Sequence, residues 1–338
     1  MSVTERLDRF QQTHRWAGFP LAVVYKFADE QGGYLAALLV YYAFLSLFPL
    51  LLLLVTILGF VLQGDVHAQS VVVSSAVSQI PVIGDTLRTN VHAVHGSVTA
   101  LVAGVAASVY GATGVAQAGQ YAMNTIWAVP RHRRANPLRS RFTSLVSVTV
   151  LGAGALATTA ITGLFGVSGA FGHDLGMLGR LLALVVSLLG NSVLFVVGFR
   201  LLTPSDIPRR HLAPGAVAAA VCWQVLQGLG GYYVSHSLRH ASQLYGLFGI
   251  VLGLIGYLYL AAVTTLLCAE ANAVRARRLW PRSLLTPFTD DVTLTRADER
   301  QYSDLATAQQ AKGFEEIDVT FNPDAKDEKA AAGPPGPS

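Results

Sequence analysis

The feature that most constrains this chain is a set of six long stretches that contain no Asp, Glu, Lys or Arg. They are residues 35–62, 96–129, 142–172, 181–199, 212–234 and 241–269. A helix needs about 20 apolar residues to cross a bilayer, and its backbone must be hydrogen bonded internally there. Only 13% of the residues are charged, against about 25% in soluble domains. The pattern predicts an all-α, polytopic membrane protein with a bundle of six transmembrane helices.

The rest of the chain divides around these spans. We expect a cytoplasmic N-terminal segment at 1–34 with a short interfacial helix, in which aromatic and charged residues mix. Residues 63–95 are predicted to form an outer loop with short amphipathic helices. The membrane domain covers 35–272, with spans at about 35–62, 97–120, 142–166, 181–201, 212–234 and 247–270. Residues 273–338 are first basic and then of mixed charge, with few aromatics, which predicts a disordered cytoplasmic tail.

The arginines alternate between the two sides of the predicted spans. The N-terminal segment, the second and fourth loops and the start of the tail each hold three or more basic residues, whereas the other three loops hold one each. By the positive-inside rule, both termini are cytoplasmic and the protein is a multi-pass protein of the cytoplasmic membrane. Membrane lipids are the expected partners. Five arginines of the second loop could meet anionic headgroups: Arg131, Arg133, Arg134, Arg139 and Arg141.

Polar residues inside spans are informative because each needs a partner or a wet cavity. We expect five of them to face inward: Gln117, Asn191, Gln224, Gln227 and Asn272. Hydrogen bonding between helices and a polar stripe that faces a substrate are both open interpretations. In the first span a proline inside an apolar run predicts a kink, and the glycines of the last span predict close helix packing.

Motifs for catalysis are absent from the sequence. It has no P-loop, HExxH, CxxC pair or GxSxG, and no carboxylate lies at mid-membrane. Zinc could bind at His236 and His240 with His92 or His95, but the pattern favours ordinary histidines in polar loops. We therefore predict no catalytic residue, no metal, no cofactor, no nucleic-acid partner and no enzymatic activity.

Several segments resemble the YihY/BrkB family of inner-membrane proteins. The first span, the segment QYAMNTIW, the stretch that leads into the fifth span and the last span carry the resemblance. The matching residues are Tyr41, Tyr42, Pro49, Asn124, Trp127, Pro204, Pro214, Gly215, Trp223, Tyr233, Tyr245, Gly246, Gly249, Gly253, Tyr257 and Glu270. The likeness covers about residues 14–280.

The resemblance implies a six-helix membrane protein associated with envelope integrity. Some relatives are linked to lipid export, which suggests a transporter or flippase-like protein for a lipid or another amphiphile. A scaffold that recruits envelope proteins is the alternative. Relatives have also carried the label ribonuclease BN, but this sequence lacks a metal-ligand cluster and its cytoplasmic loops are too short for a nuclease domain.

Overall fold

The structure is a computed structural model of the protein. It describes residues 3–61, 98–167, 176–204, 206–237, 246–289 and 292–322. Within these ranges all regular secondary structure is helical, so the all-α prediction is confirmed. The helices are α1 (Val3–Thr13), α2 (Arg15–Asp29), α3 (Gly32–Val61), α4 (Val98–Ile126), α5 (Pro137–Val167), α6 (Gly176–Leu202), α7 (Arg209–Ser237), α8 (Gly246–Arg277) and α9 (Arg296–Thr307), with a 3-10 turn at Arg131–Arg133.

Four segments among the described residues are long and apolar enough to cross a membrane. They are Pro137–Thr159, Leu181–Leu202, Arg209–Gly230 and Val251–Arg277, in α5 to α8. The apolar segment Gly32–Leu47 of α3 is shorter. A multi-pass membrane protein is therefore confirmed, while the count of six spans stays a prediction. Helices α3 to α8 each contain one predicted span to within one residue.

The chain forms two compact units. The helix unit consists of Gln31–Met123 and Ala135–Ala269. In it α5 packs on α6, and α6 packs on α7. Glycines allow some of these approaches, because a Cβ on Gly154 would lie 2.5 Å from Leu194 and one on Gly190 would lie 2.7 Å from Thr158. Small residues thus bring neighbouring helices together, as the composition predicts.

Helices α3 and α4 approach most closely at two glycines of α4. A Cβ on Gly111 would lie 2.6 Å from the Cβ of Ser46 and 2.7 Å from its Cα. A Cβ on Gly114 would lie 2.3 Å from the ring of Tyr42. In contrast, a Cβ on Gly249 of α8 would meet nothing within 4 Å among the described residues. The prediction that Gly249 serves close packing stays a prediction.

The polar unit consists of the described residues of Met1–Glu30, Asn124–Arg134 and Glu270–Ser338. Its helices α1 and α2 pack on each other and hold the segment that follows α8. The amide of Gln11 donates to the Arg282 carbonyl at 2.5 Å, and the Tyr25 hydroxyl donates to the Leu284 carbonyl at 2.7 Å. The backbone N–H of Leu284 donates to Asp8 at 2.8 Å. Three distant segments therefore build this unit.

The prediction of a disordered tail over 273–338 is wrong for the part that contains α9. Thr295 caps this helix, and its hydroxyl accepts from the Asp298 backbone while the Asp298 carboxylate accepts from the Thr295 backbone. Asp298 and Gln301 are buried. Composition underestimates this segment because polar side chains, rather than a large apolar face, fix it to the rest of the polar unit. Residues 323–338 lie outside the described residues, as does the predicted outer loop 63–95.

Helix α2 coincides with the short helix predicted before the first span. One face of it is buried within the protein through Ala22, Val23, Tyr25 and Lys26. The other face exposes Trp16 and Val24. Its position in the membrane interface stays a prediction.

Candidate functional site

A small polar cluster lies between two candidate membrane spans of the helix unit. The Gln224 side-chain oxygen on α7 accepts from the Ser187 hydroxyl at 3.3 Å and from the Asn191 amide at 3.5 Å, both on α6. Asn191 falls at the middle of Leu181–Leu202. All three side chains are partly exposed. Because both hydrogen bonds are long, these groups retain capacity for another polar partner.

A cluster of charges is buried in the polar unit. Lys26 of α2 donates to Glu30 one turn later, and to Glu270 near the end of α8 at 2.8 Å. Its third hydrogen bond goes to the Ile126 carbonyl at 2.9 Å. The Gln301 amide of α9 donates to Glu30 at 3.3 Å. Lys26 and Glu30 belong to the first segment of the unit, the Ile126 carbonyl to the second, and Glu270 and Gln301 to the third. The cluster therefore joins all three segments.

The charges around Lys26 decide its protonation. Burial by itself would lower the pKa of Lys26, but Glu270 and then Glu30 outweigh that effect, so its pKa is raised above the ordinary value for lysine. Both ion pairs are almost fully removed from solvent, with at most 2% of each side chain exposed. Lys26 is therefore a fixed cation at neutral pH.

A second buried network surrounds Arg282, which follows α8. Its Nε donates to Asp298 at 2.7 Å and its Nη1 donates to Asp29 at 2.5 Å. Asp298 also accepts from the backbone N–H groups of Ser283 at 3.0 Å and Thr295 at 2.9 Å. Burial would lower the pKa of Arg282, but the two carboxylates outweigh it and raise that pKa. The network attaches α9 to α2.

The five predicted inward polar residues differ in their surroundings. Asn191 and Gln224 meet in the cluster described above, and Asn272 is buried near the end of α8. Gln227, one turn after Gln224, is partly exposed. Gln117 of α4 is exposed, so the inward prediction is wrong for it. The small residues of α4 set its buried face, and Gln120 rather than Gln117 takes the inward position, where it contacts Ser140 and Ser144.

The family-motif residues are spread over both units. Trp127, Gly215 and Glu270 are buried, whereas Tyr41, Pro214 and Gly249 are exposed. The remaining ones with described side chains are partly exposed: Tyr42, Asn124, Pro204, Trp223, Gly253 and Tyr257. The Trp223 and Tyr257 rings lie 6.4 Å apart. The motif therefore does not gather at one site.

Some predictions fall on side chains outside the described part of the chain. They concern Pro49, Tyr233, Tyr245 and Gly246. The side chains of the histidines considered for zinc also lie outside the described part: His92, His95, His236 and His240. The proline kink and the zinc alternative stay predictions.

The loop arginines lie on the polar unit and at the start of α5. Arg131, Arg133, Arg139 and Arg141 are exposed. Arg134 is partly buried, and its Nε donates to the Val129 carbonyl at 3.1 Å. Four guanidinium groups are therefore available to solvent.

The sequence interpretation missed most of the buried charges. It placed Lys26 and Glu30 in an interfacial helix, although their spacing of four residues on α2 indicates an ion pair. Glu270 appeared among the family-motif residues, without Lys26 as its partner. Arg282, Asp298 and Gln301 had no local signal, except that Thr295 and Asp298 have the spacing of a capping box.

Three comparisons bear on the identity of the chain. The family model described as Virulence factor BrkB matches residues 23–288. A UPF0761 membrane protein of Azotobacter vinelandii (strain DJ / ATCC BAA-1303) is 30% identical over 274 residues, which is 77% of this chain and 64% of that protein. The chain thus spans somewhat less than two thirds of its relative. No solved structure matches. Because the family model matches most of its length, the chain belongs to the YihY/BrkB family of membrane proteins.

Proposed function

We propose that this protein moves an amphiphile, such as a lipid, across the membrane along the cluster of Ser187, Asn191 and Gln224. The observation that carries the proposal is that these polar side chains lie in candidate membrane spans and are partly exposed, and that the side-chain hydrogen bonds joining them within the described part of the chain are long. A polar group at membrane depth is costly unless it has a partner or a function. A migrating headgroup would supply the missing partner.

The surroundings of the cluster suit the apolar part of an amphiphile. Leu184 and Val221 lie three residues before Ser187 and Gln224, on the same helix faces. Leu184 is 50% exposed and Val221 is 44% exposed. An acyl chain could contact these side chains while the headgroup contacts the cluster. Because amide and hydroxyl groups both donate and accept, a neutral or zwitterionic headgroup fits better than an isolated ion.

The proposal includes six spans and a cytoplasmic polar unit in the cytoplasmic membrane. The segment before the first predicted span and the segment after the last one meet in that unit through Gln11 and Arg282, which is the arrangement expected if both lie on one side. The exposed arginines of residues 131–141 supply the positive charge that the inner side requires. Anionic headgroups near these arginines would add about 1 kcal/mol for each contact.

Reconstitution into vesicles tests the transport proposal. A fluorescent phospholipid would be followed from the inner to the outer leaflet in vesicles with the full-length protein. We expect wild type to accelerate this movement, and Asn191→Leu with Gln224→Leu to return the rate to that of protein-free vesicles. Gln117→Leu is the matched control, since Gln117 is an exposed polar residue in a helix that lacks the cluster. Equal rates for wild type and protein-free vesicles would contradict the proposal.

Recruitment of envelope proteins is the second candidate, and two exposed aromatic residues of the polar unit favour it. Phe314 is 90% exposed and Phe288 is also largely exposed. Contiguous apolar patches in solvent often mark a contact surface, and recruitment here requires that these two side chains belong to one. Phe288→Ser with Phe314→Ser should then release a co-purifying partner without loss of the folded protein. An unchanged set of co-purified proteins would argue against recruitment through this surface.

A further inference from the structure

The Lys26 cluster contains more negative than positive charge. Lys26 contributes one cation, while Glu30 and Glu270 contribute two carboxyl groups, and all three side chains are at most 2% exposed. An uncompensated charge in such a place is strongly unfavourable. If all three side chains were ionised, the cluster would carry one net negative charge that solvent does not reach.

The donors in the cluster are already used. Lys26 has three N–H groups, and they go to Glu30, Glu270 and the Ile126 carbonyl. One oxygen of Glu30, one oxygen of Glu270 and the side-chain oxygen of Gln301 are buried without a hydrogen-bond partner among the described residues. A single O–H group on one of the two carboxyl oxygens would supply a donor to one of the other two acceptors.

The neighbouring cations are committed to other carboxylates. Arg282 pairs with Asp29 and Asp298. Arg277 pairs with Asp304 at 2.6 Å and donates to the Trp127 carbonyl at 2.6 Å. Among the described residues, neither Arg282 nor Arg277 is therefore bonded to Glu30 or Glu270.

Asp298 provides an internal comparison. It is as buried as Glu30 and Glu270, yet its oxygens accept from Arg282, from the Ser283 backbone and from the Thr295 backbone. The chain thus supplies donors to a buried carboxylate in one network and leaves oxygens of two carboxyl groups unpartnered in the other. The difference indicates a distinct chemistry at the Lys26 cluster.

We propose that Glu30 and Glu270 together bind one proton, so that the Lys26 cluster is a neutral, buried proton-binding site. The proton comes from water and forms an O–H bond on one of the free carboxyl oxygens. That O–H group then donates to the other carboxylate or to the Gln301 oxygen. The assignment of one proton follows from the charge count and the unpartnered acceptors, and it holds whether or not the protein moves an amphiphile.

Infrared spectroscopy of the full-length protein in detergent tests this proposal. The carbonyl stretch of a protonated carboxyl group is separate from the carboxylate bands. We expect one such signal at neutral pH in wild type. In Glu30→Gln and in Glu270→Gln the remaining carboxylate pairs with Lys26, so each variant should lose the wild-type signal completely. Asp304→Asn, which changes a partly exposed ion pair of the same unit, should keep it.

Two results would overturn the proposal. The first is a wild-type spectrum without a protonated carboxyl group, which would mean that both glutamates are ionised and that another cation balances them. The second is a signal that persists in both glutamine variants, because the proton would then lie elsewhere. Since Glu and Gln have nearly the same shape, either variant that folds is sufficient for the comparison, and the wild-type spectrum alone can contradict the assignment.

Discussion

Lys26 and Glu270 lie 244 positions apart in the chain and form a salt bridge of 2.8 Å that is almost fully buried. The bridge joins a helix that precedes the predicted spans to the end of the last apolar helix. Burying two charges is costly, so such a bridge adds little net stability compared with apolar packing. We expect its value to be specificity, because the bridge forms only when α2 and the end of α8 lie together.

Loss of Lys26 should destabilise the protein strongly. Lys26→Met leaves Glu30 and Glu270 buried together without a cation, which should lower the free energy of unfolding by about 3–5 kcal/mol at neutral pH. Part of the loss should return at lower pH, because a second proton can neutralise the remaining carboxylate. Thermal or chemical unfolding in detergent measures the change.

The matched control is Asp304→Asn. Asp304 also pairs with an arginine near the end of α8, but about a third of each side chain is exposed. A partly exposed pair contributes about 0–1 kcal/mol. Equal losses in Lys26→Met and Asp304→Asn would mean that burial does not distinguish the two pairs, contrary to the structure.

The free energy of unfolding should decrease at high pH, because Lys26 loses its proton there. Burial lowers its pKa, but Glu270 and Glu30 raise it further than burial lowers it, so the folded value exceeds the ordinary one. The folded state therefore binds this proton more tightly than the unfolded chain does. The resulting stability is complete below the unfolded pKa of about 10.4 and is lost as pH rises through the folded pKa. Unfolding midpoints from neutral pH upward should decrease in wild type and change less in Lys26→Met.

The close approach of α3 and α4 should not tolerate a methyl group. Gly111→Ala would place its Cβ 2.6 Å from Ser46, and Gly114→Ala would place one 2.3 Å from Tyr42. We expect each to cost about 1–3 kcal/mol through overpacking. Gly249→Ala and Gly256→Ala meet nothing within 4 Å in the part of the chain that the structure describes and should be neutral or stabilising, by up to about 1 kcal/mol from helix propensity. Thermal midpoints that fail to separate the two pairs would contradict the described packing.

The cap of α9 should control protease resistance of the region after α8. Thr295→Ala removes the hydroxyl that accepts from the Asp298 backbone and donates to the Pro281 carbonyl at 2.9 Å. The loss should be about 1 kcal/mol, with faster cleavage between Thr295 and Thr307. Glu316→Gln, at an exposed position, is the control. If wild type were cleaved at the same rate as Thr295→Ala, the cap would not hold α9 to the rest of the polar unit.

The apolar part of the fold could be predicted from the sequence, because membrane crossing imposes a length and excludes charges. Each predicted span accordingly lies within one helix. Side-chain direction was harder to predict. Gln117 and Gln120 are both polar and only three residues apart, yet Gln120 is buried against α5 while Gln117 is exposed. The difference in burial between the two side chains depends on which of them faces α5.

The polar unit was largely unpredictable for a related reason. Composition measures the apolar surface that a segment can bury, but α9 is fixed by Asp298 and Gln301, whose partners Arg282 and Glu30 lie elsewhere in the chain. Such long-range polar pairs leave no periodic pattern. The i, i+4 spacing of Lys26 and Glu30 and the capping box at Thr295 were the local signals available.

Cysteine accessibility tests the central claim, a membrane-embedded helix unit with the three segments of the polar unit on the cytoplasmic face. Single cysteines would replace the exposed residues Arg9, Arg133 and Lys312 in a variant without Cys222 and Cys268. A membrane-impermeant maleimide should label all three in inside-out vesicles and none in intact cells. Labelling of Arg9 and Lys312 positions from opposite faces, or recovery of the protein in solution without detergent, would contradict the account.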